Sequence, residues 1–247
     1  MNNKYIVIKV GGSLLSRSEE TLFDYEYADK LKNFLKELTS NGYNVALNVG
    51  GGFITRKYMN YAREKGEKDT NDLHKIGVST TNLNAELLHA RLDNLVYKQV
   101  IRYQEFDDLI NSGTNILNAK LSTYFNDTKV ILTAPSRPGL SNDWNAVQMA
   151  KILKTGIVFD LKDVDGVYTA DPNIDFEAER IDKLSWEEYF NIIGTNEHKP
   201  GAHYPLDPIA AKDAKESGIK IFILHGYDFE DINKALNNLP FEGSIIG

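Results

Sequence analysis

Short apolar runs alternate along the chain with longer stretches in which apolar residues recur every three or four positions. The short runs predict strands, namely "KYIVIKV" (4–10), "YNVALNV" (43–49), "TKVILTA" (128–134), "GIVFDL" (156–161) and "IKIFILH" (219–225), with "VYKQVI" (96–101) as a weaker candidate. Several of them are apolar nearly throughout, which is typical of strands that are buried on both faces of a parallel sheet.

The longer stretches have the periodicity of amphipathic helices. They are "YEYADKLKNFLKELTSNG", "FITRKYMNYAREKG", "TTNLNAELLHARLDNL", "NDWNAVQMAKILKTG" and "PLDPIAAKDAKESG". The alternation of strands and helices predicts an α/β fold in which helices cover both faces of a mainly parallel sheet. Residues 170–204 are rich in polar residues, proline and glycine, and predict an excursion over the surface with one short helix at "WEEYFNII".

Composition narrows the range of functions. The chain has 247 residues, 42% of them hydrophobic, which is enough for one large domain or two closely fused lobes. Its formal net charge is -7, whereas proteins that bind nucleic acids usually carry a basic stripe, so we expect no nucleic-acid partner. The sequence contains no cysteine, which excludes disulfides, thiolate metal sites and cysteine nucleophiles.

The apolar runs are too short for a membrane span. The longest have about six residues, whereas a helix that crosses a bilayer needs roughly 20. The first residues also lack the apolar core and small-residue cleavage site of a signal peptide. We therefore expect a cytoplasmic protein that has no membrane partner.

Glycines follow four of the predicted strands. Gly11-Gly12 follow the first strand, Gly50–Gly52 the second, Gly139 the "VILTA" strand, and Gly166 the segment "VFDLKDVD". Ligands of open α/β sheets bind at the carboxyl ends of the strands, where glycine lets backbone N–H groups approach an anion. One Gly-Gly pair is more often a simple turn, but four such loops at one edge favour an anion-binding site.

Two cations lie next to these loops. Lys9 is in the first strand among apolar neighbours, so its ammonium group must either reach solvent or meet an anion. Arg56 is about one turn into the helix after Gly50–Gly52, where it could bind a phosphate or lie on a solvated helix face. Neither glycine loop matches the P-loop or the dinucleotide fingerprint.

Four segments together carry a resemblance to a known family. They are "KVGGSLLS" near the start, "NVGGGFITRKY", "GLSNDWNAVQMAKIL" and "KDVDGVYTADP". Nearly the whole chain resembles the amino acid kinase superfamily. Within it the chain is most similar to the archaeal type of UMP kinase, because Arg56 and Tyr58 follow the triple glycine, and Asp207-Pro208 precede "AAK" (210–212).

The resemblance implies a single domain over residues 1–247 with a three-layer α/β/α sandwich. An acceptor-binding lobe would span about 1–150 and a nucleotide-binding lobe about 151–247. Catalytic roles are implied for Lys9 and Asp143. Nucleotide binding is implied for Gly11, Gly12, Lys162, Asp165, Gly166, Tyr168 and Asp171, and acceptor binding for Gly50, Gly51, Gly52, Arg56, His74 and Asn142.

The implied activity is ATP-dependent phosphorylation of UMP to UDP. Mg²⁺ would accompany ATP, no metal site formed by the protein is expected, and the assembly would be a homo-oligomer, either a dimer or a hexamer. The residues named above fit phosphoryl transfer, because this reaction depends mainly on the positioning of the substrates and on the neutralisation of their charge. A phosphate acceptor is already ionised, so no acid–base pair is required.

The acceptor side departs from the family pattern, whereas the segment "KDVDGVYTADP" is intact. His74 stands where UMP kinases usually have aspartate, Ser13 where lysine is common, and Ala134-Pro135 where two glycines are usual. His74 could instead be a polar residue near a helix start, and Trp144 could either pack in the core or cover the acceptor. Two alternatives therefore stay open: an ATP-binding molybdenum or tungsten storage-type protein, and a kinase of another small phosphate or carboxylate.

Overall fold

The structure is a computed structural model that describes residues 4–111, 114–135, 137–170, 172, 174–194 and 204–247. Asp171, one of the predicted nucleotide-binding residues, lies outside the described residues. Residues 195–203 of the predicted surface excursion also lie outside them.

The described chain contains ten strands. They are β1 (Lys4–Val10), β2 (Tyr43–Val49), β3 (Ile101–Arg102), β4 (Val130–Ala134), β5 (Ile157–Lys162), β6 (Val167–Tyr168), β7 (Arg180–Ile181), β8 (Lys183–Leu184), β9 (Lys220–His225) and β10 (Ser244–Ile246). Eight of them form one sheet in the order β3-β4-β2-β1-β5-β9-β10-β8, which is parallel except between β9 and β10. Strands β6 and β7 form a separate antiparallel pair.

Helices cover both faces of this sheet. They are α1 (Gly12–Leu15), α2 (Tyr25–Ser40), α3 (Gly52–Glu64), α4 (Thr70–Leu92), α5 (Tyr103–Asn111), α6 (Thr114–Asp127), α7 (Asn142–Leu153), α8 (Trp186–Ile193), α9 (Pro208–Glu216) and α10 (Phe229–Leu236). No helix in the described part of the chain is both long and apolar enough to cross a membrane.

The alternation of side chains along β1 explains the two apolar cores. Ile6, Ile8 and Val10 point to one face and pack with residues of α1, α2, α4 and α10. Val7 points to the other face, where residues of α5 to α9 pack. Because successive strand residues face opposite sides, an apolar run such as that of β1 is buried between two helix layers. The result is the predicted α/β/α sandwich.

Most predicted elements are present, and the differences have local causes. The helix predicted from Thr80 begins at Thr70, because the Asp69 carboxylate caps it by accepting hydrogen bonds from the N–H groups of Asn71 and Asp72. In the weak candidate 96–101, only Ile101 belongs to a strand, and Val96 makes an isolated bridge to Val130. The predicted short helix is α8, which begins with a capping box at Ser185 and Glu188.

Candidate active site

The first two glycine loops pack directly against each other. A Cβ atom on Gly12 would lie 2.6 Å from the amide nitrogen of Gly51, and Gly52 has φ of +66°. The Gly50 N–H donates to the Val10 carbonyl at 2.9 Å, so the two loops are also joined by a backbone hydrogen bond. Only glycine permits this approach, and the two loops form one continuous backbone surface.

The amide of Asn84, on α4, fixes the second loop from the opposite side. Its Nδ2 donates to the Gly51 carbonyl at 2.8 Å and to the Gly50 carbonyl at 3.2 Å. Asn84 is fully buried, so these bonds are shielded from water. With its carbonyl groups turned towards α4, the loop is held in one conformation.

Lys9 meets the protein's own anions rather than solvent. Its side chain is almost completely buried, and Nζ lies 2.9 Å from Asp143 Oδ1 and 2.9 Å from Asp160 Oδ1. Asp143 is in the first turn of α7, whose N-cap Ser141 accepts a hydrogen bond from the Trp144 N–H. The predicted catalytic pair, Lys9 and Asp143, is therefore a direct ion pair.

Asp160 is a site residue that the sequence analysis missed. It is aligned with Lys9 across the β1–β5 pairing, and its other oxygen, Oδ2, lies 3.1 Å from Lys162 Nζ. The available signal was a single carboxylate within the apolar run "GIVFDL", on a strand adjacent to the one that carries a buried lysine. Burial of such a charge requires a partner.

The pKa values of the two carboxylates, Asp143 and Asp160, are shifted in opposite directions. For Asp143, burial alone would raise the pKa, but the charges of Lys162 and Lys9 outweigh burial and lower it well below its ordinary value. For Asp160, burial prevails and, together with the charge of Asp143, raises the pKa. For Lys9, burial alone would lower the pKa, but Asp143 and Asp160 raise it above its ordinary value. Lys9 is thus an ammonium group at neutral pH.

Helix α9 begins at the same cluster. The Asp207 carboxylate caps α9 by accepting hydrogen bonds from the N–H groups of Ile209 and Ala210. The backbone N–H of Asp207 donates to Asp143 Oδ2 at 2.9 Å. Asp143 is therefore fixed by Lys9 on one oxygen and by the start of α9 on the other.

A cavity of about 410 Å³ opens next to this cluster. Its wall includes five of the six predicted acceptor-binding residues together with Gly139 of the third glycine loop: Gly51, Gly52, Arg56, His74, Asn142 and Gly139. The sixth, Gly50, is buried at the contact with Gly12. Because Asn142 lines the cavity and Asp143 pairs with Lys9, the cavity and the ion-pair cluster are adjacent.

The cavity wall suits an anion that also carries polar groups. It includes the start of α3, where N–H groups and the helix dipole favour negative charge, and Arg56 lies one turn further on. The Oδ1 atom of Asn142 is buried and has no hydrogen-bond partner among the described residues. Thr55 and Thr80 share a hydrogen bond of 2.7 Å between α3 and α4.

Two residues close to the cavity residues in sequence, Trp144 and Arg137, contact other side chains of the protein. Trp144 packs against the apolar core of α5 to α9, with its ring centroid 5.3 Å from that of Tyr103. This packing favours a role for Trp144 in the core over a role as a cover for the bound acceptor. Arg137 is exposed, and its Nε donates to Gln104 at 3.3 Å.

The segment "DVDGVY" is held by an arginine that the sequence analysis did not identify. Asp165 accepts a hydrogen bond from the Tyr168 hydroxyl at 2.6 Å and pairs with Arg180 Nη1 at 2.8 Å. Arg180 also pairs with Glu242 and Asp182. Partial burial would raise the pKa of Asp165, but the hydrogen bonds from Tyr168 and Arg180 lower it. The carboxylate is therefore charged, and its position is fixed.

A parallel sheet between helix layers, with glycine loops at its carboxyl edge beside a buried lysine, is the arrangement of a phosphate-handling α/β protein. The sequence matches the model of the amino acid kinase family over residues 4–225, and the chain belongs to that family. The predicted family is thereby confirmed.

The relatives agree with this assignment over nearly the full length. A uridylate kinase of Methanocorpusculum labreanum is 31% identical over 98% of this chain and 95% of its own length. The crystal structure of the uridylate kinase of Archaeoglobus fulgidus has a TM-score of 0.72 and 28% identity, covering 98% of this chain and 99% of that one. The UMP kinase of Ureaplasma parvum, at 21% identity and a TM-score of 0.77 over both complete chains, confirms the fold.

Proposed function

We propose that this chain transfers the γ-phosphoryl group of ATP to UMP and so produces UDP. The observation that carries the proposal is the position of the cavity. The triple-glycine loop, Arg56 and Asn142 line it, and the buried pair of Lys9 and Asp143 lies next to it. The names of the Methanocorpusculum and Archaeoglobus relatives, both uridylate kinases, support UMP as the acceptor.

The acceptor phosphate would bind at the start of α3. The N–H groups of Gly51 and Gly52 and the guanidinium of Arg56 supply donors and positive charge there. The rest of the cavity, with His74 and Asn142, would then receive the nucleoside. A volume of about 410 Å³ is within the range of small-molecule sites.

Lys9 would act on the phosphoryl group during transfer. Its ammonium group is held between two carboxylates, so its position is set before the substrates bind and no side-chain ordering is needed during the reaction. A fixed cation stabilises the negative charge on the oxygens of the phosphoryl group in the transition state. Asp143 acts mainly by positioning Lys9.

ATP would bind along the carboxyl ends of β1 and β5. Gly11 and Gly12 supply bare backbone for its phosphates, and Lys162 supplies a second cation next to Asp160. Asp165, Gly166, Tyr168 and Asp171 would surround the rest of the nucleotide. Mg²⁺ would come with ATP and be held mainly by its phosphates, since Mg²⁺ is usually bound by one or two carboxylates together with substrate phosphates. Asp143 and Asp160 are carboxylates of the cluster that could contribute oxygen ligands, and the ion would neutralise phosphate charge when bound.

We also propose that the protein lies in the cytoplasm. Within the chain, residues of about 1–150 would bind the acceptor and residues of about 151–247 the nucleotide.

We further propose that the protein forms a homo-oligomer. The exposure of helix α3 favours this, because none of its residues is buried and more than half of the surface of Tyr58 and of Tyr61 is exposed. Exposed aromatic residues on one helix are typical of surfaces between subunits. Sedimentation velocity of wild type and of Tyr58→Ser/Tyr61→Ser tests this.

A kinase of another small phosphate is the second candidate. His74 and Pro135, two of the departures from the UMP kinase pattern, both line the acceptor cavity. Both residues therefore lie where they could contact an acceptor other than UMP. A different acceptor would leave the nucleotide side and the Lys9 cluster unchanged.

The decisive experiment measures ADP formation with ATP and Mg²⁺ against UMP, CMP, isopentenyl phosphate, carbamate and N-acetylglutamate. We expect the highest kcat/KM with UMP and UDP as the product. Turnover with another acceptor and none with UMP would refute the proposal. Binding of ATP without turnover of any acceptor, together with stoichiometric molybdenum or tungsten after purification with their oxyanions, would favour the storage alternative.

A further inference from the structure

We propose that Tyr189 is a positioning residue for phosphoryl transfer: its hydroxyl fixes the start of α9, which in turn holds Asp143 against Lys9. This inference rests on the proposed function, since it concerns the residues that would carry out that reaction. Tyr189 is in α8 and is fully buried in the second core, so it is out of reach of both substrates. Its effect on the reaction must therefore pass through the protein.

The hydroxyl of Tyr189 makes two hydrogen bonds to the backbone of Leu206. It donates to the Leu206 carbonyl and accepts from the Leu206 N–H at 2.7 Å. Both residues are buried, so water does not compete for these bonds. Burial also raises the pKa of Tyr189 above its ordinary value, so the hydroxyl keeps the proton that it donates. A single oxygen atom thus satisfies both polar groups of Leu206.

The Leu206 carbonyl and the Asp207 N–H belong to one peptide group. This group is trans, and a trans peptide is a rigid plane in which these two polar bonds point in opposite directions. Tyr189 binds the carbonyl side, and the N–H side donates to Asp143 Oδ2 at 2.9 Å. The same peptide is therefore held from both sides, and the bond to its carbonyl strengthens its N–H as a donor.

The ring of Tyr189 holds the hydroxyl in one position. Its centroid lies 6.4 Å from that of Trp186, with the two rings at 89°, and 6.0 Å from that of Phe190. A tyrosine side chain has few rotatable torsions, and this packing restricts them. The hydroxyl is therefore a fixed point from which the peptide between residues 206 and 207 is held.

Removal of this oxygen would leave two backbone groups without partners. The N–H and the carbonyl of Leu206 are buried, and an unpaired buried polar group is costly, so the peptide would rotate towards other partners. Its N–H would then move away from Asp143 Oδ2, and Asp143 would be held mainly by Lys9. Such a shift matters because phosphoryl transfer depends on the exact placement of the cation.

The test is Tyr189→Phe, which keeps the ring and removes only the oxygen. With UMP, or with whichever of the five acceptors the wild type uses, we expect kcat to fall about 10-fold and both KM values to stay within about twofold, because the loss acts on the transition state. A kcat within about twofold of wild type would overturn the inference and leave the proposed function standing. A wild type that uses none of the acceptors would instead refute the proposed function.

Two control variants separate the hydroxyl from general stability. Tyr27→Phe removes a buried hydroxyl of α2 that has no hydrogen-bond partner among the described residues. Ser185→Ala weakens the exposed cap of α8 and keeps the Tyr189 hydroxyl. We expect urea unfolding at a lower midpoint for Ser185→Ala, and kcat within about twofold of wild type for both controls. An equal fall of kcat in Ser185→Ala would assign the effect to the stability of α8 and overturn the inference.

Hydrogen exchange measured by NMR tests the same link without turnover. In Tyr189→Phe we expect the Asp207 amide proton to exchange about 10-fold faster or more, because its peptide is no longer held. The Gly50 amide, which donates to the Val10 carbonyl, is the internal reference and should exchange as in wild type. Equal changes at both amides, or an unchanged rate at Asp207, would overturn the inference. If the wild type uses no acceptor, this measurement alone decides whether Tyr189 holds the start of α9.

Discussion

Two lysines and two aspartates share a site at the centre of the molecule. Lys9 contacts Asp143 and Asp160, and Asp160 also contacts Lys162, so the four formal charges cancel. Burying charges is costly unless each has a partner, and removal of Lys9 would leave Asp143 without its ion-pair partner. The arrangement is consistent with a cation whose position must be exact for phosphoryl transfer.

Replacement of Lys9 tests its role directly. In Lys9→Met we expect kcat at saturating UMP to fall by about 10²-fold or more, with a small change in the KM of ATP, because the cation acts mainly in the transition state. Initial rates over a grid of both substrates give these values. A kcat within threefold of wild type (roughly 0.6 kcal/mol) would contradict the role of Lys9.

The raised pKa of Lys9 predicts a dependence of stability on pH. In the unfolded chain the lysine loses its proton near pH 10.4, whereas the folded protein retains it, so the free energy of unfolding should fall as pH rises above that value. The slope due to one group is at most about 1.4 kcal/mol per pH unit. Urea unfolding at pH 9.5, 10.5 and 11.5 should show a steeper fall for wild type than for Lys9→Met. Equal slopes would show that Lys9 does not hold its proton more tightly in the fold.

At the scale of elements, helix starts converge on the site. Helices α7 and α9 begin at capped residues, Ser141 and Asp207, and the backbone of Asp207 also binds Asp143. The cap therefore has two consequences, one for the stability of α9 and one for the position of Asp143. A cap far from the site has only the first.

Asp207→Ala separates these two consequences. We expect a loss of about 1 kcal/mol in the free energy of unfolding, because α9 loses its cap, and a fall in kcat of about 10-fold, because the backbone N–H of residue 207, which alanine keeps, is then held less firmly against Asp143. The control is Ser185→Ala, which removes the cap of α8 next to β8, the strand at the far edge of the sheet. Urea unfolding should show a similar loss for both variants, and steady-state assays should show a lower kcat for Asp207→Ala alone. Equal kcat values would rule out the positioning role of α9.

Strands could be predicted from the sequence where the burial of apolar side chains determines their boundaries. The runs of β1 and β2 are buried between two helix layers, so their boundaries match the structure to the residue. Helices α5 and α6 were not predicted, although apolar residues recur there at helical spacing, as at Leu117, Leu121, Tyr124 and Phe125 in α6. Phe106, Tyr124 and Phe125 pack into the second core, so the apolar faces of both helices were a signal in the sequence, and only the surface they pack against depends on tertiary structure.

At the scale of the whole molecule, chain topology brings distant loops together. Gly12 and Gly51 are 39 positions apart in sequence, yet a Cβ on the first would lie 2.6 Å from the amide nitrogen of the second. The position of the loops at one edge followed from the order of parallel strands and was predicted. The strand register that places Asp160 opposite Lys9, and the reach of Arg180 to Asp165 and Glu242, depend on tertiary structure and were not.

The central claim is that the cavity beside the Lys9 cluster receives the phosphate of UMP. The most direct measurement is the KM of each substrate in Arg56→Ala, with Arg63→Ala on the same helix as the matched control, since Arg63 pairs with Asn60 on the surface. We predict that Arg56→Ala raises the KM of UMP about 10-fold or more, because a charge-assisted contact is lost, and leaves the KM of ATP within about twofold. Arg63→Ala should change neither. An unchanged KM for UMP in Arg56→Ala, or an increase confined to ATP, would contradict the account.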